Sequence, residues 1–414
     1  MTFDHFLARE RALIIAISQA NLILINSFSD RNTETLHRLP PNILTVQKQI
    51  SFVLISSLLL TGLTTLEPAN AQGRQLQRVA SAPQNQQLNR LLRQGQEYVD
   101  AGKYAQAIAI YQQARQFDPK NPRLFSGIGY LQARQGHFTE AVRAYQQAIA
   151  LDPNNADFQY ALGYSLANSG DNASAAAAYR RATSLNAKNV NAYLGLGIVL
   201  LRQKDYDGAL AAYRKVVELQ PQNAEAHELM GLVFLKKQQY PDALRALQKA
   251  ANLAPEKASV QLSLGKALVH QGNTTAGLTA LEKAARLAPK NAQVHIQIGN
   301  VLQSQKDLSD ALQAFKRATA IQPDSVEAQL SIGEILLAQE NYLEAIIAYR
   351  RLIELAPQNA QAYYKLGVAL KKRDRKTEAI TALETALELY RRQSQKEGTQ
   401  QAESLLRELK KSRG

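Results

Sequence analysis

Residues 190–223 read VNAYLGLGIVLLRQKDYDGALAAYRKVVELQPQN, and the same 34-residue pattern recurs along most of the chain. Its most regular member is a glycine. The nine glycines of this row are Gly95, Gly129, Gly163, Gly197, Gly231, Gly265, Gly299, Gly333 and Gly367. Glycine inside a helix costs about 1 kcal/mol relative to alanine, so a repeated glycine indicates a place with no room for a side chain. The simplest cause is two helices that cross too closely for a Cβ atom. The pattern predicts one supersecondary unit stacked nine times.

Three further rows keep the same register. Small residues lie 12 and 19 residues after the glycine, as Ala209 and Val216 do in this unit, with the large apolar Tyr213 between them. Proline closes most units, as Pro221 does here. Because proline lacks an amide donor and clashes with the preceding turn, it ends a helix. The pattern within each unit therefore predicts two helices joined by a tight polar turn such as Asp100–Lys103.

This spacing resembles the tetratricopeptide repeat, which has a small residue in the middle of its first helix, alanine and an aromatic residue in its second, and a closing proline. The repeats run 88–121, 122–155, 156–189, 190–223, 224–257, 258–291, 292–325, 326–359 and 360–393. The resemblance implies an all-α fold, a right-handed α-α superhelical solenoid of nine helix pairs. Tryptophan, which the family favours early in the first helix, is absent because the chain contains none.

The segments around the repeats are also predicted from their composition. Residues 72–87 are rich in glutamine and resemble a flexible linker. In residues 394–414, Ala402, Leu405, Leu406 and Leu409 have helical spacing, which predicts an amphipathic helix that caps the last repeat. A mobile helix that binds a partner is the alternative for this end.

The N-terminal segment, residues 1–71, has the pattern of a secretory signal. Lys48 precedes an apolar run at residues 50–63, and the small residues Ala69-Asn70-Ala71 follow it. We predict cleavage after Ala71 and a mature protein that begins at Gln72. The run is short for a membrane span, but an uncleaved anchor formed by residues 50–66 is the alternative. A secretory signal normally stands at the N-terminus, but about 40 residues precede this one. We therefore predict that the true translation start lies nearer residue 45.

Composition excludes several kinds of chemistry. The chain has no cysteine, which excludes disulfides and thiolate metal sites. Its six histidines never fall four residues apart, so we predict no metal site and no cofactor, and packing roles for His227 and His295. The net charge of +14 is spread over helix faces, and residues 371–376 are its densest cluster. We predict no nucleic-acid partner, no small-molecule substrate and no enzymatic activity.

The resemblance implies that function lies on a groove lined by the first helices. We number each repeat from 1 to 34, so that the recurring glycine stands at position 8. The family uses positions 2, 5, 9, 12 and 13 for its ligands. The residues predicted to line the groove are Tyr130, Tyr160, Tyr164, Leu194, Ile198, Leu232, Lys266 and Asn300. Apolar and tyrosine-bearing positions suit an amphipathic helix or an apolar peptide.

These patterns together predict a non-enzymatic adaptor that binds a protein or peptide partner. The signal predicts export in a bacterium, such as a cyanobacterium, to the periplasm or the thylakoid lumen. Two alternatives remain open: a membrane-anchored assembly factor, and an accessory subunit of an envelope enzyme complex. The family's clamp for chaperone tails places lysine at position 5 and asparagine at position 9 of one repeat. No repeat here has lysine at position 5, so that ligand is not expected.

Overall fold

A computed structural model describes residues 71–411, with side chains from residue 84 onward, and this range is helical throughout, without a strand. The helices are α1 Ala71–Asp100, α2 Tyr104–Phe117, α3 Pro122–Arg134, α4 Phe138–Leu151, α5 Ala156–Asn168, α6 Asn172–Leu185, α7 Val190–Arg202, α8 Tyr206–Leu219, α9 Ala224–Lys236, α10 Tyr240–Leu253, α11 Ala258–His270, α12 Thr274–Leu287, α13 Ala292–Ser304, α14 Leu308–Ile321, α15 Val326–Ala338, α16 Tyr342–Leu355, α17 Ala360–Lys372, α18 Lys376–Arg392 and α19 Lys396–Lys411. The upstream segment and the apolar core of the predicted signal lie outside the described residues. None of the helices between residues 71 and 411 combines the length and the apolar character that a membrane span needs.

The chain divides into two compact units, one that ends at Val233 and one that begins at Phe234. In the first unit the pairs α1/α2, α3/α4, α5/α6 and α7/α8 each pack together, and each pair packs on the next. The second unit repeats this arrangement with α11/α12, α13/α14, α15/α16 and α17/α18. The structure therefore confirms the predicted all-α stack of helix pairs.

Side chains at the repeat boundaries start many of the helices. Asparagine at position 34 caps a first helix in several repeats: Asn189 Oδ1 accepts from the amide of Ala192 at 3.0 Å, and Asn359 from that of Ala362 at 3.0 Å. Asp171 and Asp205 cap second helices in the same way, at 3.0 and 2.9 Å. Such a cap satisfies an amide that has no partner within the helix. The sequence therefore marks most helix starts locally.

The recurring glycine lies under the large side chain at position 24. An ideal Cβ atom at these glycines would come within 3.0 Å of the side chain that faces it: a ring at Gly95, Gly129, Gly163, Gly197, Gly299 and Gly333, and leucine at Gly265 and Gly367. The expected cause was a close crossing of helix backbones. The structure shows that the space is taken mainly by a side chain of the second helix.

The two rows of small residues form the centre of each pair. Ala107, Ala114, Ala141 and Ala148 are fully buried, and so are most of their counterparts along the chain. The side chains between them, such as Tyr213 and Tyr349, are also fully buried. Small residues on both sides let the second helix approach closely while one large side chain fills the space, which is how helix pairs reach interior packing density.

Residues 72–87 differ from the prediction of a flexible linker. The structure places them inside α1, a helix of 30 residues that continues into the first repeat. The segment contains six glutamines, two arginines and two alanines, which are good helix formers. Composition alone suggested a solvated chain, but a helix that is already nucleated by a packed repeat extends at little cost.

The helix α19 packs on the last pair, as predicted. Ala402, Leu406 and Leu409 are buried, and the helix packs against α18. Ion pairs join its polar edge to the repeats, with Lys371 Nζ 2.6 Å from Glu408 Oε1 and Lys410 Nζ 2.8 Å from Glu384 Oε1. The helix therefore covers the apolar surface of the last repeat.

Alanine substitution at a glycine of this row tests the packing, and a helical glycine with more room around it is the matched control. In Gly163→Ala the new Cβ would lie 2.8 Å from Cδ1 of the buried Tyr179, so we expect the free energy of unfolding to fall by about 1–3 kcal/mol. In Gly127→Ala the new Cβ would lie 3.7 Å from the Tyr111 ring, an ordinary contact. Helix propensity then makes this variant more stable by about 0.5–1 kcal/mol. Urea denaturation followed by circular dichroism measures both, and equal effects would refute the assignment.

Candidate protein-binding surfaces

Three of the predicted groove residues, Tyr130, Tyr160 and Tyr164, lie on first helices of the first unit and are half-buried. We call them the tyrosine face. The Tyr164 ring meets Phe138 edge-on, with ring centres 6.3 Å apart. The Tyr160 ring lies 6.0 Å from that of Tyr179 at an interplanar angle of 48°. The face is therefore held in place by rings of the second helices.

Burial raises the pKa of all three phenols of the tyrosine face. For Tyr130 and Tyr164 the positive charge of Arg134 partly opposes the rise in pKa. For Tyr160 the neighbouring Tyr164 and the carboxylate of Asp157 add to it. The tyrosine face therefore stays neutral and keeps its hydroxyl protons at physiological pH.

Arginines at position 13 link successive repeats beside this face. Arg134 Nη2 donates to the hydroxyl of Tyr104 at 3.3 Å, and its guanidinium carbon lies 5.8 Å from the centre of that ring. Arg202 Nη1 donates to the carbonyl of Ala167 at 3.0 Å and approaches Asn172 Oδ1 at 3.4 Å. In both cases the arginine reaches the start of the second helix in the preceding repeat. Sequence reasoning did not single out these arginines, although position 13 is one of the family's groove positions.

The other predicted residues of the first unit offer less surface. Leu194 and Ile198 on α7 are only 5% and 8% exposed, so they pack mainly in the core and leave little area for a partner. Leu232 on α9 is half-buried. Position in the repeat predicted the face on which these side chains lie, but exposure depends on how far neighbouring side chains cover them.

In the second unit, Lys266 and Asn300 lie together at a cleft lined by both apolar and polar side chains. The cleft has a volume of about 250 Å³ and lies between α11 and α13. Its lining residues are Lys266, Val269, His270, Leu281, Gln297, Asn300, Val301 and Ser304. The His270 ring stacks on Tyr240 with centres 5.0 Å apart and planes 6° apart, which fixes one wall.

Polar side chains at position 9 in this unit bond to position 2 of the next repeat. Asn300 Nδ2 donates to Glu327 Oε1 at 3.2 Å, and Gln361 Nε2 donates to Glu334 Oε1 at 3.4 Å. Each pair is separated by 27 residues, a spacing that is visible in the sequence once the repeat frame is known. Glu327 was not predicted as part of the surface.

The histidines at position 4 have a structural role. Nε2 of His227 lies 3.1 Å from the carbonyl oxygen of Pro221, and Nε2 of His295 lies 3.1 Å from that of Pro289. Because a carbonyl oxygen only accepts, Nε2 carries the proton in each ring. Between residues 71 and 411 no group of histidine and carboxylate side chains is arranged to hold a metal ion.

The basic cluster at residues 371–376 is partly neutralised by neighbouring acids. Lys371 pairs with Glu408, and Arg375 Nη2 lies 2.7 Å from Glu378 Oε1. Arg350 also reaches Glu378, at 2.8 Å. These contacts favour a role in holding the last repeat and its capping helix together.

Family models match the repeats along most of the described chain. A model described as cilia and flagella-associated protein 70 C-terminal domain matches residues 121–329, which is half of the chain. Models of the tetratricopeptide repeat match residues 95–136, 333–374 and 360–393. This chain belongs to the tetratricopeptide repeat family. No curated protein sequence matches it.

Solved structures with similar folds are also tetratricopeptide repeat proteins. A tetratricopeptide repeat protein from Parabacteroides merdae ATCC 43184 is 17% identical with a TM-score of 0.50, over 61% of this chain and 99% of its own. MamA 41-end from Desulfovibrio magneticus RS-1 is 27% identical with a TM-score of 0.39, over 41% and 97%. YrrB, a tetratricopeptide repeat protein with an unusual peptide-binding site, is 24% identical with a TM-score of 0.38, over 45% and 96%.

Membership of the family suggests a scaffold for protein–protein interaction. Tetratricopeptide repeat proteins bind protein or peptide partners and are generally non-enzymatic.

The phenols beneath the tyrosine face give a pH-dependent prediction. Burial raises the pKa of Tyr145 and Tyr179 well above the ordinary value, so both stay protonated in the folded protein. In the unfolded chain they ionise near pH 10, so the stability they contribute is present below about pH 10 and is lost above it. Between about pH 9 and pH 11 the free energy of unfolding of the double variant Y145F/Y179F should therefore fall by about 3 kcal/mol less than that of the unsubstituted protein. Urea denaturation across this range measures the difference, and parallel pH profiles would contradict it.

Proposed function

We propose that this chain is an exported adaptor of the bacterial envelope that holds a peptide or helix of a partner protein on the first-helix surface of its repeats. The observation that carries the proposal is the tyrosine face, Tyr130, Tyr160 and Tyr164. Three half-buried rings lie on the face that the family uses for its ligands, and each is neutral.

Tyrosine suits this task for physical reasons. It provides a large apolar area and a hydroxyl group, and only two torsion angles have to be fixed on binding. Phe138 and Tyr179 already restrain Tyr164 and Tyr160 from below. A surface that is ordered before binding loses little entropy when a partner arrives, so more of the contact energy remains as affinity. An apolar segment of the partner, extended or helical, is the expected occupant.

Export is proposed from the N-terminal sequence. The apolar run at residues 50–63 and the small residues that end at Ala71 support a cleaved signal and a location in the periplasm or thylakoid lumen. The absence of cysteine is compatible with such a compartment. A membrane-anchored assembly factor that keeps residues 50–66 is the alternative, and an accessory subunit of an envelope enzyme complex is a second.

Photo-crosslinking tests the tyrosine face whatever the identity of the partner. A photoreactive phenylalanine that replaces Tyr164 should crosslink one partner protein in living cells. The same substitution at Ala177, which is exposed on the second helix α6, is the matched control and should give no crosslink. Tyr160→Ala with Tyr164→Ala should weaken capture of that partner by about tenfold or more, because large aromatic residues dominate binding energy.

The phenylalanine versions of both substitutions separate ring area from hydroxyl bonding. They keep the rings in place and should retain most of the binding. Unchanged binding in the double alanine variant, or equal crosslinking from position 177, would remove the tyrosine face from the proposal.

Protein chemistry tests the proposed export. The mature protein should begin at Gln72, and it should be released from membranes by a carbonate wash. N-terminal sequencing and cell fractionation measure both properties. A membrane-bound form that retains residues 50–66 would favour the anchored alternative, and a mature protein that starts near Met1 would contradict the signal.

A further inference from the structure

Lys266 is the one cation at position 9 of the nine repeats, where the other residues are neutral or acidic. Its side chain is half-buried at the cleft between α11 and α13. Among the described residues no carboxylate lies within 4.0 Å of its ammonium group and no acceptor hydrogen-bonds to it. A cation removed from water without a partner is costly, which makes the position a candidate for an anionic ligand.

The acid that acts electrostatically on Lys266 is Glu327, which lies two repeats further along the chain and is already engaged. Its Oε1 accepts a hydrogen bond from Asn300 at 3.2 Å. Burial lowers the pKa of Lys266, the charge of Lys236 adds to that effect, and Glu327 opposes it. Lys266 therefore lines the cleft without a carboxylate partner of its own among the described residues, and a carboxylate from outside could pair with it.

The rest of the cleft matches the stem of an acidic side chain. Val269, Leu281 and Val301 supply apolar lining, while Gln297 and Asn300 add amide groups to the same lining. The methylene groups of a glutamate side chain would contact the apolar residues as its carboxylate reaches Lys266. A volume of about 250 Å³ leaves room for such a side chain.

We propose that this cleft binds the side-chain carboxylate of a glutamate in a protein partner. The inference rests on the proposed function, because it assigns a negative charge to one side chain with which the partner contacts this protein. It differs from the family's chaperone-tail clamp, since position 5 of this repeat is Leu262 and the cation stands at position 9. The cleft lies in the second unit and the tyrosine face in the first, so each can be tested by itself.

Methyl NMR on the full chain tests the cleft with small probes. The main probe is N-acetyl-glutamate α-methylamide, which carries only a side-chain carboxylate. We expect saturable shifts of the methyl signals of Val269, Leu281 and Val301. Lys266→Gln should weaken binding by about tenfold or more, whereas Lys266→Arg should retain it. Lys290→Gln, which removes an equal charge from an exposed turn, is the matched control and should bind normally.

Two further probes identify the source of the anion. N-acetyl-glutamine carries only a main-chain carboxylate, and inorganic phosphate carries none; both should bind more weakly. Tighter binding of either probe, unchanged affinity in Lys266→Gln, or no saturable response to the glutamate probe would overturn the proposal. Methyl signals outside the cleft report whether each variant is folded. None of these results depends on the tyrosine face. A negative result here would overturn only the glutamate site, and the proposed function would still be decided by the crosslinking and capture experiments.

Discussion

The packing of one large side chain over one glycine is the contact on which each helix pair depends. Within a pair, the ring or leucine at position 24 occupies the volume that a side chain at position 8 would need. The alanine rows on either side are buried because the second helix is drawn close by this contact. The cost of glycine in a helix is accepted at every repeat since the alternative is a displaced helix and a cavity.

The difference between core positions and the other positions of the repeat explains where the chain can vary. Core positions repeat because each pair must make the same fit, whereas the residues at positions 2, 9 and 13 differ from repeat to repeat. In the first unit they carry tyrosine and arginine, and the result is a neutral aromatic surface bordered by cations. In the second unit they carry lysine, asparagine and glutamate, and the result is a cleft of mixed polar and apolar lining and hydrogen bonds between repeats.

Prediction from the sequence worked best where a pattern records a local or repeated contact. The period of 34 residues predicted the helix pairs, and the spacing of Ala402, Leu406 and Leu409 predicted the capping helix. It worked less well for residues 72–87, whose polar composition suggested a linker although they extend α1. It also missed Arg134 and Glu327, because their roles come from contacts with a neighbouring repeat rather than from their own residue type.

The sequence alone determined the fold, the register of the repeats and the side chains that fill the core, because periodic packing leaves a periodic record in the chain. Only the tertiary structure showed that the space over the row glycines it describes is filled mainly by a side chain of the second helix rather than by a backbone crossing. It also showed that Leu194 and Ile198 are covered, whereas Tyr130, Tyr160 and Tyr164 keep exposed area. Exposure and many of the polar contacts depend on distances between residues of different helices, such as Asn300 and Glu327, and no local pattern specifies those distances.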